Sequence, residues 1–185
     1  MDLSARGRKQ ASALAAFIRH HRFDALYASP MKRVQQTLVP ILSNGSTRAI
    51  IAPELREVDF GVWTGLSWDE IQTRFGISPF TWLEQLECNG IEKAECAADF
   101  RQRLEPWVRR LLNAHAGQQV ALFCHGGVIR MLLSILLDWP FSRFAAIEID
   151  YASLTQVVCH PLGARLQLMN LTPWRDLAEA ENQQP

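Results

Sequence analysis

The chain has 185 residues, and its 19 basic and 19 acidic side chains give a formal net charge of zero at pH 7. Such a balance gives no support to a protein that binds nucleic acid or an anionic membrane surface. The hydrophobic content of 48% is ordinary for a globular protein, and the length is sufficient for one domain with a substantial core.

No targeting, membrane or metal-binding pattern stands out in the composition. The longest apolar run, residues 128–137, is interrupted by Arg130 and Ser134 and is too short to span a bilayer. The four cysteines follow neither a metal-ligand nor a C-x-x-C spacing, so we expect free thiols in a reducing cytoplasm. One domain is expected over residues 1–175, followed by a flexible tail over residues 176–185.

The first third of the chain predicts a helix, a strand and a second helix. Ser4 caps an apolar stripe that predicts a helix over residues 4–20. Residues 25–29 predict a short strand, after which Pro30 suits the first position of a helix. Arg33 falls in the first turn of that helix, near the end of the strand, where its guanidinium can hold a phosphate.

The middle of the chain predicts a charged loop between regular elements. A short strand over residues 49–52 leads into residues 54–65, which place four charged side chains and two glycines among large apolar residues. Carboxylates in such surroundings can have a raised pKa and act as general acids. An amphipathic helix is expected over residues 99–115.

The most informative stretch is residues 120–130, in which an apolar run ends at His125, two glycines follow, and a second apolar run begins. This order predicts a strand, a tight turn and a buried helix, with His125 at the carboxyl end of the strand. Ligands bind at that end of the strands in open α/β sheets. Glycines and a helix N-terminus suit an anion such as phosphate.

The last third of the chain predicts strands. Alternating patterns indicate strands over residues 146–150, 153–159 and 165–169, the last two forming a hairpin through residues 161–163. The alternation of strands and helices along the whole chain predicts an α/β fold, a three-layer α/β/α sandwich with a mostly parallel sheet.

Two phosphatase interpretations compete at the central stretch. The first starts from Cys124 and Arg130, which have the C-x5-R spacing of the cysteine-dependent phosphatases. A helix N-terminus favours a thiolate nucleophile there. However, Phe123 replaces the histidine that precedes the cysteine in many such proteins, and Met131 replaces the Ser or Thr that follows the arginine. We rank this interpretation second.

The second interpretation uses four separate segments. They are L-S-A-R-G-R-K-Q-A at residues 3–11, Y-A-S-P-M-K-R-V-Q-Q-T at 27–37, L-R-E-V-D-F-G-V-W-T-G at 55–65 and C-H-G-G at 124–127. Their sequence and order resemble the histidine phosphatase, or phosphoglycerate mutase-like, family. The loop at 55–65, with E-C-A-A-D-F-R at 95–101, is most similar to α-ribazole phosphatases, although Lys93-Ala94 replaces the usual pair of glycines.

The resemblance implies a phosphomonoester hydrolase that works through a phosphohistidine and needs neither a metal ion nor another cofactor. By motif, Arg33 and Gly126 would bind the phosphate, and His125 would donate to the transferring phosphoryl oxygens. Glu57 would protonate the leaving oxygen and then activate water. The implied partner is a small phosphorylated metabolite in the cytoplasm, without nucleic acid or membrane, and the oligomeric state is left open.

One part of the family pattern is missing. The family's nucleophilic histidine belongs to an R-H-G motif on a first strand that lies beside the strand leading to His125, and no R-H-G occurs in this sequence. We expect that the start of the chain was assigned too late or that the chain was shortened. As written, the chain is then inactive and marginally stable. The alternative is a non-catalytic phosphate-binding or interaction protein on the same fold.

Overall fold

The computed structural model describes residues 2–43 and 48–177, which fold around a three-stranded parallel sheet in the order β2-β1-β3. Its strands are β1 (Ala25–Ala28), β2 (Ile50–Ile51) and β3 (Val120–Phe123). The helices are α1 (Ala5–Ile18), α2 (Lys32–Leu42), α3 (Trp68–Phe75), α4 (Trp82–Glu87), α5 (Ala97–Ala114) and α6 (Gly126–Leu137). Strands β4 (Leu154–His160) and β5 (Gly163–Leu171) form a separate antiparallel hairpin.

Successive residues of the central strand face opposite sides of the sheet, as they must in a β-strand. Leu26 and Ala28 pack with Val34 and Leu38 of α2. Tyr27 points the other way and packs against the larger core to which α5 and α6 contribute. Because both faces are covered by helices, the expected three-layer α/β/α sandwich with a parallel sheet is confirmed.

Within the part of the chain that the structure describes, some strand edges have no partner strand. Strand β1 pairs with β2 on one side and β3 on the other. Across residues 2–43 and 48–177, β3 has no second partner strand, and β4 pairs with β5 alone. The expected hairpin is confirmed, with His160 opposite Gly163. The strand that leads to His125 therefore has one unpaired edge among these residues.

The predicted strand over residues 146–150 is wrong. A 3-10 helix occupies Phe141–Ala146, and no strand follows it before β4. The Arg130 guanidinium of α6 contacts this segment, since its Nε donates to the Phe144 carbonyl (3.1 Å) and one Nη donates to the Ile147 carbonyl (2.8 Å). The segment is thus held by a side chain of another element rather than by a neighbouring strand.

Two predicted helix starts are also displaced. Helix α2 begins at Lys32 rather than Pro30, because the Met31 N–H is already bonded to the Ser29 hydroxyl (3.3 Å), which bends the chain before the helix. Arg33 nevertheless stays in the first turn. Helix α5 begins at Ala97, two residues earlier than predicted, and Cys96 caps it. Local polar contacts thus set both starts.

The end of the chain is described only in part. A π-helical turn covers Pro173–Leu177, so the expected tail over residues 176–185 overlaps a regular element at its first two positions. Residues 178–185 lie outside the described residues. Across the described ranges, no helix has both the length and the apolar character needed to cross a membrane.

Arg103 of α5 ties the charged loop at residues 54–59 to the body of the protein. Its guanidinium makes a two-pronged ion pair with Glu95, through Nε (2.8 Å) and Nη2 (2.7 Å). Its remaining nitrogen, Nη1, donates to the backbone carbonyls of Glu54 and Arg56. Side-chain exposure is only 17% for Arg103 and 12% for Glu95, so this pair is largely shielded from water. The loop is therefore fixed through side-chain chemistry rather than through a strand.

Replacing Arg103 with Met is expected to lower the free energy of unfolding by about 3–5 kcal/mol, because the Glu95 carboxylate would stay buried without its partner. Arg109 on the same helix is the matched control. It pairs with Glu105 but its side chain is 74% exposed, so R109M should cost less than about 1 kcal/mol. Urea unfolding of both variants measures the difference, and equal losses would contradict this account.

Candidate active site

The histidine side chain is held between the ends of two neighbouring strands. Ser29 follows β1, and His125 follows β3 and caps α6. The backbone N–H of Ser29 donates to the Phe123 carbonyl (2.9 Å), which continues the pairing of the two strands up to the site. His125 Nε2 lies 2.8 Å from the Ser29 hydroxyl, and Arg33 Nε donates to His125 Nδ1 at 3.1 Å. The predicted neighbourhood of Arg33 and His125 is thus observed.

The electrostatic surroundings keep the His125 ring neutral. Only 7% of the residue is exposed. Burial, followed by the positive charges of Arg33 and Arg103, lowers the pKa of His125 from 6.5 to about 3. A neutral ring can accept at one nitrogen while it donates at the other, as the contacts with Arg33 and Ser29 require.

The Glu57 carboxylate reaches the same place from the charged loop. Its Oε1 accepts from the Val58 N–H (3.1 Å), and its Oε2 accepts from the Gly127 N–H (3.3 Å). Burial raises the pKa of Glu57, and these backbone bonds and the Arg33 charge oppose the rise. The site therefore brings together a guanidinium, a neutral imidazole and a buried carboxyl group whose pKa is raised.

The two glycines of the turn have different surroundings. The Gly126 carbonyl accepts from Arg130 Nη1 at 3.2 Å, and its assignment as a phosphate-binding residue stays a prediction. A Cβ on Gly127 would lie 2.5 Å from Glu57 Oε1, which is too close for the present carboxylate position. Gly127 thus allows the Glu57 carboxylate to approach the N-terminus of α6.

Cys124 and Arg130 do not form a cradle around a reactive thiolate. Burial and the Glu57 charge raise the pKa of Cys124 to about 12, so the sulfur stays protonated at neutral pH. All three nitrogens of the Arg130 guanidinium donate to backbone carbonyls, those of Gly126, Phe144 and Ile147. Neither group is arranged for nucleophilic attack on phosphorus.

Three residues in this arrangement are absent from the sequence-based assignment. Ser29 lies in the S-P-x-x-R segment, and Gly127 lies in the C-H-G-G segment, so a residue-by-residue study of those motifs had the signal to find them. Arg103 carries no such signal, because its partners at 54 and 56 are backbone carbonyls far away in sequence. Within the described ranges, no three His, Cys, Asp or Glu side chains are grouped to hold a metal ion.

Replacing His125 with Gln removes a group that titrates differently in the folded and unfolded protein. Between pH 6.5 and about 3 the unfolded chain holds the extra proton and the folded chain does not. The wild-type protein should therefore lose stability relative to H125Q as the pH falls through that window, by at most about 1.4 kcal/mol per pH unit. Urea unfolding of both proteins at several pH values tests this, and a difference that does not vary with pH would contradict it.

A methyl group on Gly127 is expected to displace the Glu57 carboxylate, whereas one on Gly126 is not. G127A should lower the free energy of unfolding by about 1–3 kcal/mol, because a buried acceptor loses its N–H partner. G126A is the control, since its Cβ would meet only Arg130 Nη1, at 3.1 Å, and should cost less than about 1 kcal/mol. Chemical unfolding at neutral pH compares the two, and similar losses would show that Glu57 does not depend on Gly127.

Comparison with known proteins agrees with this geometry. The family model "Histidine phosphatase superfamily (branch 1)" matches residues 1–172. Phosphoserine phosphatase 1 of Hydrogenobacter thermophilus is 27% identical over 156 residues, which cover 84% of this chain and 74% of that protein. Adenosylcobalamin/alpha-ribazole phosphatase of Escherichia coli is 25% identical over 168 residues, which cover 91% of this chain and 83% of that protein.

A solved structure gives the same result for the fold. The native structure of a mycobacterial glucosyl-3-phosphoglycerate phosphatase matches with a TM-score of 0.80 and 26% identity, over 93% of this chain and 89% of that chain. The names of these three relatives give different phosphorylated substrates. Since the family model spans nearly the whole chain, the chain belongs to the histidine phosphatase superfamily.

Proposed function

We propose that this protein is a phosphomonoester hydrolase of the phosphohistidine type. The observation that carries the proposal is the convergence of Arg33, His125 and Glu57 at the carboxyl ends of β1 and β3, with Arg33 bonded to His125. Arg33 holds the phosphoryl group, and His125 donates to its transferring oxygens. Glu57 protonates the leaving oxygen and then takes a proton from the attacking water.

The chemistry of phosphoryl transfer supports these roles. The reaction depends mainly on positioning and on compensation of negative charge, which a fixed guanidinium and an N–H donor supply. A general acid must hold its proton until the leaving oxygen needs it, and the buried setting that raises the pKa of Glu57 favours that form. Gly126, at the N-terminus of α6, supplies a backbone N–H for the phosphate in this proposal.

The nucleophile is the part of the reaction that these 185 residues do not supply. Histidine phosphatases attack with the histidine of an R-H-G motif, and the sequence contains none. The 185-residue polypeptide is therefore proposed to bind a phosphate-like anion without turning a substrate over. Among residues 2–43 and 48–177, β3 has one edge without a partner strand, and this edge runs beside the site, so a strand added there would bring its own residues close to His125.

The proposed substrate class is a small phosphorylated metabolite. An α-ribazole phosphate of the cobalamin pathway is the first candidate, because the charged loop resembles that subgroup and a relative carries that name. Phosphoserine is the second candidate, on the name of the other curated relative. Both are small phosphate monoesters. The residues proposed to bind the phosphoryl group do not contact the leaving alcohol, so they do not distinguish between the two substrates.

Two other functions stand behind this one. A non-catalytic phosphate-binding protein would keep Arg33 and His125 without a nucleophile, and the missing R-H-G motif favours that alternative. A cysteine-dependent phosphatase has less support, because the pKa of Cys124 is raised to about 12. An experiment that supplies the missing nucleophilic histidine distinguishes these alternatives from the proposed hydrolase.

The test supplies the nucleophile in trans. The pure 185-residue protein should show no hydrolysis of p-nitrophenyl phosphate, α-ribazole phosphate or phosphoserine above the blank. A synthetic apolar strand that ends in Arg-His-Gly should restore turnover, whereas the same peptide with Ala in place of His should not. Restored turnover should fall at least about 100-fold in E57Q, because the general acid is lost.

Three results would change the proposal. Binding of phosphate without restored turnover would favour the non-catalytic protein. Turnover by the 185-residue protein alone, lost in C124S and kept in H125Q, would revive the cysteine mechanism. Turnover that E57Q leaves unchanged would remove Glu57 from the mechanism.

A further inference from the structure

Ser29 is the most tightly surrounded polar residue of the site, and no role has so far been given to it. It has no exposed surface. Its N–H donates to the Phe123 carbonyl (2.9 Å), and its own carbonyl accepts from Gln35 Nε2 (2.6 Å). Its hydroxyl oxygen accepts from the Met31 N–H (3.3 Å) and lies 2.8 Å from His125 Nε2. Backbone and side chain are thus both fixed.

The contacts of His125 determine which of its nitrogens carries the proton. Arginine has only donors, and its Nε–H points at His125 Nδ1, so Nδ1 must accept and carries no hydrogen. In a neutral ring the hydrogen is then on Nε2, and Nε2–H donates to the Ser29 hydroxyl oxygen. A doubly protonated ring would place two N–H donors against each other at the Arg33 contact.

We propose that Ser29 is a positioning residue that fixes the orientation of the His125 ring, with Nε2–H anchored inside the protein and Nδ1 facing Arg33. The anchor leaves Nδ1 as the nitrogen that faces a bound anion once the Arg33 guanidinium turns from the ring to that anion, and Nδ1 then takes up a proton from solvent, so that it can donate to an anion oxygen. This last step rests on the proposed function, whereas the orientation rests on the contact with Ser29 and the tautomer of the anion-free ring on the contact with Arg33.

The bond to Ser29 matters because an imidazole ring has two orientations of nearly the same shape. A half-turn about the ring axis exchanges nitrogen and carbon positions with little change of shape, and only hydrogen bonds distinguish the two. Arg33 stops making its bond to the ring when it binds an anion, so it cannot hold the ring at that moment. Ser29 keeps its bond to Nε2, because its position depends on the backbone of β1, β3 and α2 and not on the ligand.

The experiment uses nitrogen NMR of 15N-labelled imidazole rings in the 185-residue protein, without any anion, at neutral pH. The expected wild-type spectrum shows His125 as a single neutral tautomer, protonated at Nε2 and bare at Nδ1. S29A alone should keep this tautomer, because Arg33 still donates to Nδ1. In R33M the Ser29 bond should keep the ring in one orientation with one set of nitrogen signals, whereas in R33M/S29A the signals should be averaged or doubled. Gln35→Met is the matched control, since it removes the Gln35 bond to the same residue and leaves the hydroxyl in place, so it should keep the wild-type tautomer.

A second measurement follows the anion. Sulfate is a suitable probe because its charge does not change between about pH 5 and 8, where histidine normally titrates. Sulfate titrated into the wild-type protein should shift the Nδ1 signal more than the Nε2 signal. Its affinity should fall about tenfold in S29A, a difference that corresponds to about 1.4 kcal/mol for one lost hydrogen bond. Q35M should stay within about twofold of the wild type.

The outcomes separate this proposal from the proposed function. A wild-type ring protonated at Nδ1, or a folded R33M/S29A protein whose ring signals stay single, would overturn the role of Ser29. If R33M/S29A does not fold, R33M decides the question, because doubled ring signals in R33M would show that the Ser29 bond does not hold the ring. Absence of sulfate binding by a wild-type protein with the expected tautomer would count against the phosphate site and leave the Ser29 anchor standing.

Discussion

The parallel pairing of β1 with β3 is the constraint on which the rest of the site depends. Residues far apart in the chain, Ser29 and His125, meet only because the two strands run side by side and end at the same level. The bond from the Ser29 N–H to the Phe123 carbonyl extends this pairing by one step past the end of β1. Arg33 then arrives in the first turn of α2, within reach of the histidine.

Burial has opposite effects on the two titratable groups of the site, and both effects suit phosphate chemistry. It disfavours the charged form of each, so it lowers the pKa of His125 and raises the pKa of Glu57. Burial thus disfavours an imidazolium charge at His125 and a carboxylate charge at Glu57, while the Arg33 guanidinium supplies a positive charge that suits a phosphate group.

The Glu57 carboxylate is held in place by side-chain contacts rather than by a helix or a strand. Glu57 lies in an irregular loop, and the Arg103 ion pair with Glu95 clamps the backbone just before it. The missing side chain of Gly127 then leaves space for the carboxylate at the start of α6. An irregular loop of this kind keeps a defined shape only if buried polar groups are satisfied, which is what the guanidinium does for the two loop carbonyls.

The sequence by itself determined the architecture and predicted the three chemical groups, since periodicity and turn residues are local signals and the four motifs lie in the order typical of one family. It did not determine where residues 146–150 go, because the Arg130 contacts that hold this segment come from another element. Likewise, only the tertiary structure shows the contacts of Ser29 and Arg103, whose partners are distant in sequence. Hydrogen bonds between groups that are distant in the sequence leave no pattern in it, and such bonds hold His125, Glu57 and the charged loop in place.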